Sequence, residues 1–257
     1  MNDPTPLRTL QASRVLRAFR EGSSWPVLVE TASGRFIAKL RGAAEGTTAL
    51  IAEVMVAELA EALGLPVPER VLIGFEEAIP SDDRLDELRD LLDRSVGLNL
   101  GFRWLEGATT PTARELAGFE DAFVASVLFL DGLVMNPDRT AKNPNLLLWK
   151  RQPWLIDHGA ALPFQHWWSQ VEESSPREVS DFGTHLFGSR AALLRQHEVP
   201  LASRLTREVL ARAASRIPAD FLLHAFAGED PERVRARYSA FLWKRLKAPR
   251  PFVPGAA

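Results

Sequence analysis

The sequence predicts an α+β fold with two lobes, in which a small antiparallel sheet with one helix is followed by a mainly helical region. Short apolar segments separated by tight turns dominate the first 104 residues, whereas helical periodicities dominate the region beyond residue 160. At 257 residues the chain is long enough for two lobes, each with its own core. We assign residues 1–13 to an N-terminal arm, 14–104 to the first lobe, 105–248 to the second lobe and 249–257 to a C-terminal tail.

Composition and charge exclude several classes of function. Hydrophobic residues make up 46% of the chain and its net charge is -2, so no general attraction to nucleic acid or to an anionic membrane is expected. The absence of cysteine excludes disulfides and thiolate zinc sites, and it fits a reducing cytoplasm. No apolar run approaches the ~18 residues of a membrane-spanning helix. We therefore expect a cytoplasmic protein with no membrane span, and the charge balance disfavours a nucleic-acid partner.

Strands and turns organise the predicted first lobe. Segments 27–31 and 35–40 have the pattern of two strands, and residues 32–34 form the tight turn between them. The helix that follows has Thr47 or Thr48 as its cap, and Gly64 with Pro66 ends it. Further on, we expect a strand at 71–75, a charged amphipathic helix at 81–94, and a strand with its connector at 98–104.

Helices organise the predicted second lobe. Thr112 and Glu115 form a capping box, which predicts the start of one long apolar helix that runs through Leu130. That helix leads into a polar loop and then into short strands at 146–149 and 154–156. Beyond residue 160 we expect helices at 189–196, 201–216, 219–227 and 231–247, the last of which begins at Asp230-Pro231.

The most informative stretch is the polar loop 136–143, Asn-Pro-Asp-Arg-Thr-Ala-Lys-Asn, which precedes Ile-Asp-His-Gly at 156–159. An aspartate, an asparagine five residues later, a hairpin and a second aspartate follow one another in the order typical of protein-kinase-like active sites. Asp138 is the candidate base that orients and deprotonates an acceptor hydroxyl. Asn143 and Asp157 are the candidate oxygen ligands for the Mg²⁺ of ATP.

Residues of the first lobe supply the matching phosphate contacts. Lys39 ends an apolar strand, from which its side chain can reach the α- and β-phosphates. Glu53, on the next helix, is its candidate partner; Glu58 competes for this role, but Glu53 lies a turn closer to the start of the helix. The turn Gly22-Ser23-Ser24 can cap phosphate oxygens with its backbone N–H groups. Each residue alone also fits an ordinary structural role, and it is their shared order that indicates an active site.

Some residues near these motifs have other interpretations. Asp181-Phe182-Gly183 spells the metal-binding tripeptide of protein kinases, but no strand precedes it, so we prefer Asp157 and interpret Asp181 as a loop residue or helix cap. No second histidine has the spacing of a metal site with His158, which indicates a packing or supporting role. Asn136 and Asn145 read first as turn residues, with hydrogen bonds to the site as a second interpretation.

These motifs resemble those of the HipA-like kinases, particularly small bacterial HipA-like kinase domains. The resemblance covers about residues 14–160 and includes Gly-Ser-Ser at 22–24, Ala-Lys at 38–39, Glu53, Gly-Leu-Pro-Val-Pro at 64–68 and the two motifs at 136–143 and 156–159. The last two are also similar to those of phosphatidylinositol kinases. The resemblance implies a bilobal protein-kinase-like fold that binds ATP and Mg²⁺.

The same resemblance assigns roles to residues and also marks two departures. It implies that Asp138 is the catalytic base, that Asn143 and Asp157 bind the metal, and that Lys39 binds phosphate with Glu53 as its partner. The His-Arg-Asp triplet of protein kinases is absent, because proline precedes the aspartate. We also expect no counterpart of the extra N-terminal subdomain of full-length HipA toxins, so the toxin role and its protein substrate are not carried over from the resemblance.

Three functional hypotheses follow from the sequence. The first is an ATP- and Mg²⁺-dependent kinase that transfers the γ-phosphate to a hydroxyl of an unknown protein or small-molecule acceptor. The second is a nucleotide-binding adaptor, a pseudokinase that keeps the fold without the reaction; five chemically competent residues argue against it. The third is a nucleic-acid-binding or scaffolding protein in which the motif is accidental, and the charge balance disfavours it.

Overall fold

The structure is a computed structural model that describes residues 6–20, 24–83 and 85–255. Five strands form a closed barrel in the order β1 (Thr9–Ala18), β2 (Val27–Thr31), β3 (Gly34–Lys39), β5 (Gly97–Arg103) and β4 (Arg70–Phe75). Neighbouring strands are antiparallel except β1 and β4, which are parallel. The predicted α+β composition is confirmed, but the sheet is closed and mixed rather than simply antiparallel.

The first strand begins inside the segment that the sequence assigns to an N-terminal arm. Residues 9–11 pair with residues 72–74 of β4, and Leu7 before them is already buried. The prediction of a loose arm is therefore wrong for residues 9–13, and residues 1–5 of that arm lie outside the described residues. Hydrogen bonds to a strand that is distant in the sequence stabilise this part of β1, and a local apolar pattern does not reveal them.

The β2–β3 hairpin sets the direction of Lys39. Gly34 closes the turn with a φ of 103°, a conformation that glycine adopts without steric cost. Phe36 and Ala38 point into the barrel and are fully buried. Because side chains alternate along a strand, Lys39 lies on the outer face, as predicted.

Helix α1 (Gly46–Ala62) packs between the barrel and the C-terminal helices. It buries side chains around its whole circumference, so its apolar residues do not form a single stripe. The predicted threonine cap is wrong, because Glu45 precedes the helix and the hydroxyl of Thr48 donates to the Glu45 carbonyl. The helix ends where predicted, before Gly64, which has a φ of 82°.

The charged helix α2 (Asp86–Asp93) is shorter than the predicted segment 81–94. Ser81 forms a bridge with Val15 of β1, and the N–H of Asp82 donates to the Val15 carbonyl. Residues 81 and 82 therefore extend the edge of the barrel and cannot belong to the helix.

The predicted long helix after Thr112 is two helices, α3 (Ala113–Ala117) and α4 (Asp121–Val134). The capping box of Thr112 and Glu115 is present, but α3 ends at Gly118 and α4 begins separately. Helix α4 is buried over most of its length and ends at Met135, whose φ of 55° is left-handed. This sharp end directs the chain into the loop 136–145.

The remainder of the chain contains a hairpin and several short helices. Strands β6 (Leu146–Trp149) and β7 (Gln152–Leu155) form the predicted hairpin, with its turn confined to Lys150 and Arg151. Asp230 caps the last helix as predicted. The described residues after this hairpin form 3₁₀ segments at 163–170, 175–177 and 188–193, then α5 (Leu194–Arg204), α6 (Arg207–Ser215), α7 (Ala219–Ala225) and α8 (Pro231–Leu246).

Apolar side chains form two cores. The smaller core fills the barrel, where leucines of α2 complete it. The larger core joins α1 and outward-facing residues of β4 and β5 to the helices α4 to α8. Helix α1 therefore belongs to a core that the barrel shares with the C-terminal helices. Within the described residues, no helix has the length and apolarity needed to cross a membrane.

Candidate active site

A cavity of about 720 Å³ opens between β3, the start of α1 and the loop that follows α4. It brings together five of the residues that the sequence predicts for the site: Ser24, Lys39, Asp138, Asn143 and Asp157. Glu53 lies behind Lys39, in hydrogen-bond contact with it. Gly22 and Ser23, predicted to cap phosphate oxygens, lie outside the described residues.

Lys39 is held by two carboxylates from distant parts of the chain. Its Nζ donates to Glu53 Oε1 and, at 2.5 Å, to Asp157 Oδ1. Glu53 is fully buried, and its Oε1 also accepts the backbone N–H of His158 at 2.9 Å. Glu58, the competing choice, instead contacts Arg70 and Arg216. The structure thus brings Glu53 rather than Glu58 to Lys39.

The charges in this cluster do not balance. Burial opposes the positive charge of Lys39, but Glu53 and Asp157 outweigh it and raise the pKa of the ammonium group. Burial raises the pKa of Glu53, whereas for Asp157 the nearby Lys39 outweighs burial and lowers the pKa. Glu53 Oε2 is buried without a hydrogen-bond partner among the described residues. Two carboxylates thus share one ammonium group.

Asp138 is oriented by amide groups of its own loop. Its Oδ2 accepts hydrogen bonds from Asn143 Nδ2 at 2.8 Å and Asn145 Nδ2 at 2.9 Å. Its backbone N–H donates to Asn136 Oδ1 at 3.1 Å. Asn136 and Asn145, which the sequence presents first as turn residues, thus both hydrogen-bond to Asp138. Asp138 lines the cavity, and its Oδ1 has no hydrogen-bond donor among the described residues.

Comparison with known proteins identifies the family of the chain. The family model described as HipA-like kinase matches residues 12–227. The chain belongs to this family. The resemblance that the motifs indicate is confirmed, and the match extends well past residue 160, beyond the last of those motifs.

A solved structure has a fold similar to that of this HipA-like kinase. The crystal structure of the Helicobacter pylori proinflammatory kinase CtkA superposes with a TM-score of 0.61 at 11% sequence identity. The alignment covers 93% of this chain and 94% of that one. At this identity the likeness concerns the fold alone. No curated protein matches the sequence.

A buried ionic network beneath the loop 136–145 was not predicted. Asp131, near the end of α4, accepts hydrogen bonds from Arg139 Nε at 2.6 Å and Asn136 Nδ2 at 2.9 Å, and its Oδ2 lies 3.0 Å from His185 Nε2. Arg139 is fully buried and also donates to the Asn145 carbonyl. The available sequence signal is a carboxylate inside the apolar run 128–134, which requires a buried partner.

His158 lies at the back of the site as a neutral group. It is fully buried, and burial together with the nearby Arg139 lowers the pKa of its imidazole to about 3. Its Nδ1 lies 3.5 Å from Arg139 Nη2. These contacts agree with the predicted packing or supporting role.

Asp181 lies apart from the other predicted residues. Its Oδ1 accepts the N–H of Gly183 at 2.8 Å, which closes a local turn. It lines a different cavity, formed with the C-terminal residues 249–255. The interpretation of Asp181 as a loop residue agrees with this position.

Proposed function

We propose that this HipA-like kinase transfers the γ-phosphoryl group of ATP, held with Mg²⁺, to a hydroxyl of a protein or small-molecule acceptor. The observation that carries the proposal is the meeting of the Lys39–Glu53–Asp157 cluster and the Asp138–Asn143 pair in one cavity. Phosphoryl transfer requires positioned charges and an oriented hydroxyl, with little covalent chemistry from the protein. These two groups of residues offer both.

The side chains fit a magnesium ion that is bound largely through its nucleotide. In such sites Mg²⁺ takes one or two carboxylates, and phosphate oxygens and water complete its octahedron. Asn143 and Asp157 offer hard oxygen ligands, and the described residues contain no group of three acidic or histidine side chains that would enclose a metal alone. The excess negative charge beside Lys39 supports a cation there. When bound, Mg²⁺ neutralises phosphate charge.

Each residue has a separate task in the proposed reaction. Lys39, held by Glu53, binds the α- and β-phosphate oxygens. Asp138 accepts the hydrogen bond of the acceptor hydroxyl at Oδ1 and takes its proton during transfer. Ser24, together with Gly22 and Ser23, caps the phosphates through backbone N–H groups.

The predicted lobes describe how the two substrates would meet. Residues 14–104 would hold the nucleotide, and residues 105–248 would supply the base, the metal ligands and the contact with the acceptor. The bilobal arrangement is thus part of the proposal. The absence of cysteine supports a reducing, cytoplasmic setting.

Substitution of the two central aspartates tests the proposal. Asp138→Ala and Asp157→Ala are each expected to lower ADP release from ATP and Mg²⁺ by at least about 10²-fold, because one removes the base and the other a metal ligand. Asp181→Ala is the matched control, since Asp181 also lies two residues before a glycine but lines another cavity. Intact mass detects any phosphorylated product, and thermal unfolding checks that the variants fold.

The outcomes separate the kinase from its competitor. Wild-type turnover in Asp138→Ala would overturn the proposal. Thermal stabilisation of the wild type by ATP, with neither ADP release nor a gain in mass, would instead favour a nucleotide-binding adaptor. Loss of turnover in both site variants but not in Asp181→Ala would establish the reaction.

A further inference from the structure

A second lysine lines the active-site cavity. Lys142 directly precedes Asn143, is exposed, and forms no ion pair or hydrogen bond with any residue that the structure describes. Its backbone is fixed by a tight turn, in which the N–H of Thr140 donates to the Asn143 carbonyl at 2.9 Å. The N–H of Asn143 donates to Thr140 Oγ1 at 3.1 Å. The side chain of Lys142 is therefore free on a loop that is itself held in place.

The two lysines of the cavity lining differ in their ion pairs. Among the described lining residues, the cations are Lys39 and Lys142, and the acids are Glu45, Asp138 and Asp157. Lys39 is already paired with Asp157 and with the buried Glu53. Lys142 is therefore the cation of the described lining that forms no ion pair with a protein carboxylate.

We propose that Lys142 is a further catalytic residue, whose ammonium group binds the γ-phosphoryl oxygens during transfer. The inference rests on the proposed function. In that step the bond from the γ-phosphorus to the bridging oxygen breaks, and its electron pair leaves with ADP. A bond forms from the γ-phosphorus to the acceptor oxygen, and the hydroxyl proton moves to Asp138.

The position of Lys142 suits the charge that this step develops. Negative charge in phosphoryl transfer spreads over the three equatorial oxygens of the moving group. The flexible four-carbon stem of lysine allows its ammonium group to follow those oxygens. Lys142 shares a turn with Asn143, Asn143 hydrogen-bonds Asp138, and all three residues line the same cavity.

The test compares Lys142→Ala and Lys142→Arg with a matched surface lysine. Lys150→Ala is the control, because Lys150 is exposed at the β6–β7 turn, lies 4.1 Å from the ring of Trp149 and is not part of the cavity lining. Two readouts are used with each protein. One is the kinetics of ADP release, and the other is calorimetric affinity for Mg²⁺–ADP with and without aluminium fluoride, which mimics the phosphoryl group in transfer.

Lys142→Ala is expected to lower kcat by about 10²-fold, the usual effect of removing one donor to a transition-state charge. In the wild type, aluminium fluoride should increase the affinity for Mg²⁺–ADP, and Lys142→Ala should lose most of this increase. The Kd of Mg²⁺–ADP without fluoride should change by less than about threefold. Lys142→Arg keeps the charge and should recover to within about tenfold of the wild type. Lys150→Ala should match the wild type in both readouts.

Other outcomes would overturn the inference. Wild-type kcat and wild-type preference for the fluoride complex in Lys142→Ala would remove Lys142 from catalysis and leave the proposed function intact. Equal losses for Mg²⁺–ADP with and without fluoride would also overturn it, because Lys142 would then bind only the ground state. A wild type that neither binds nucleotide nor releases ADP would defeat the proposed function, and the inference with it.

Discussion

Asp131 connects the end of α4 to the loop that carries Asp138. Its carboxylate binds Asn136 and Arg139, the residues two before and one after Asp138. The carbonyl of Arg139 accepts the N–H of Leu186, and His185 contacts the same carboxylate, so the segment near 185 is tied to the loop as well. The buried carboxylate of Asp131 therefore helps to position Asp138 through a residue on each side of it.

Asp131→Asn is expected to lower the free energy of unfolding by about 3–5 kcal/mol at neutral pH, because Arg139 would remain buried without its counter-charge. Burial opposes ionisation of Asp131, but Arg139 and His185 outweigh it and hold the pKa below its ordinary value of 3.8. A group with a depressed pKa stabilises the fold above its unfolded-state pKa, and this contribution is lost as the pH falls further. The free energy of unfolding of the wild type should therefore exceed that of the variant by a constant amount above about pH 5. This difference should become smaller towards about pH 2.

Urea unfolding over this pH range measures the difference between the two proteins. Asp181→Asn is the control, since Asp181 closes only a local turn, and it should change the free energy of unfolding by less than about 0.5 kcal/mol. A difference between wild type and Asp131→Asn that stays constant to about pH 2 would show that ionisation of Asp131 is not its source.

The residues at the cavity surface are those that the sequence can locate. Lys39, Asp138 and Asp157 each have a recognisable local position at a strand end or in a loop, and their order along the chain relates them to one another. Asp131 has only the indirect signal of a carboxylate inside an apolar run, and nothing in the sequence identifies Arg139 as its partner, because burial and tertiary contact define that pairing. The orientation of Asn143 also depends on tertiary detail, since its amide nitrogen, not its oxygen, faces Asp138.

At the scale of elements, polar contacts with β4, the end of α6 and α7 hold α1 in place. Glu58 contacts Arg70 of β4 at 2.8 Å and Arg216, just after α6, at 3.1 Å. The hydroxyl of Thr47 lies 3.3 Å from Nδ1 of His224 on α7. These contacts fix the helix that carries Glu53, the partner of Lys39.

Arg216→Ala is expected to lower the free energy of unfolding by about 1–2 kcal/mol, because it removes a charged hydrogen bond to the partly buried Glu58. Amide hydrogen exchange in the second half of α1 should become faster. Arg212→Ala is the control, since Arg212 lies one turn before Arg216 on α6, is exposed and has no ion pair among the described residues. Unchanged exchange in α1 of the Arg216 variant would mean that apolar packing alone fixes this helix.

Elements with a local signature are predictable, and those defined by distant partners are not. The β2–β3 and β6–β7 hairpins follow from strand patterns and turn residues, and the last helix follows from its cap at Asp230. Closure of the barrel depends on the parallel pairing of β1 with β4, which joins segments far apart in the sequence. The break between α3 and α4 occurs at Gly118 within a pattern that otherwise continues the helix.

At the scale of the whole molecule, the barrel and the helices are joined by more than the cavity. Leu72 and Leu100 of the barrel wall belong to the same apolar core as α1 and the helices α4 to α8. Arg41, just after β3, donates to Asp220 of α7 at 2.9 Å. The larger core thus crosses the boundary that the sequence suggests near residue 104.

We expect the chain to unfold in one cooperative transition, because neither side of that boundary can keep its apolar surface buried without the other. Hydrogen exchange by mass spectrometry across a urea series measures this directly. Amides of the barrel strands β2 to β5 and of the helices α4 and α8 should lose protection at the same urea concentration. Barrel amides that lose protection clearly before those of the helices would instead mean that residues 14–104 and 105–248 are separate folding units, with the cavity as the main contact between them.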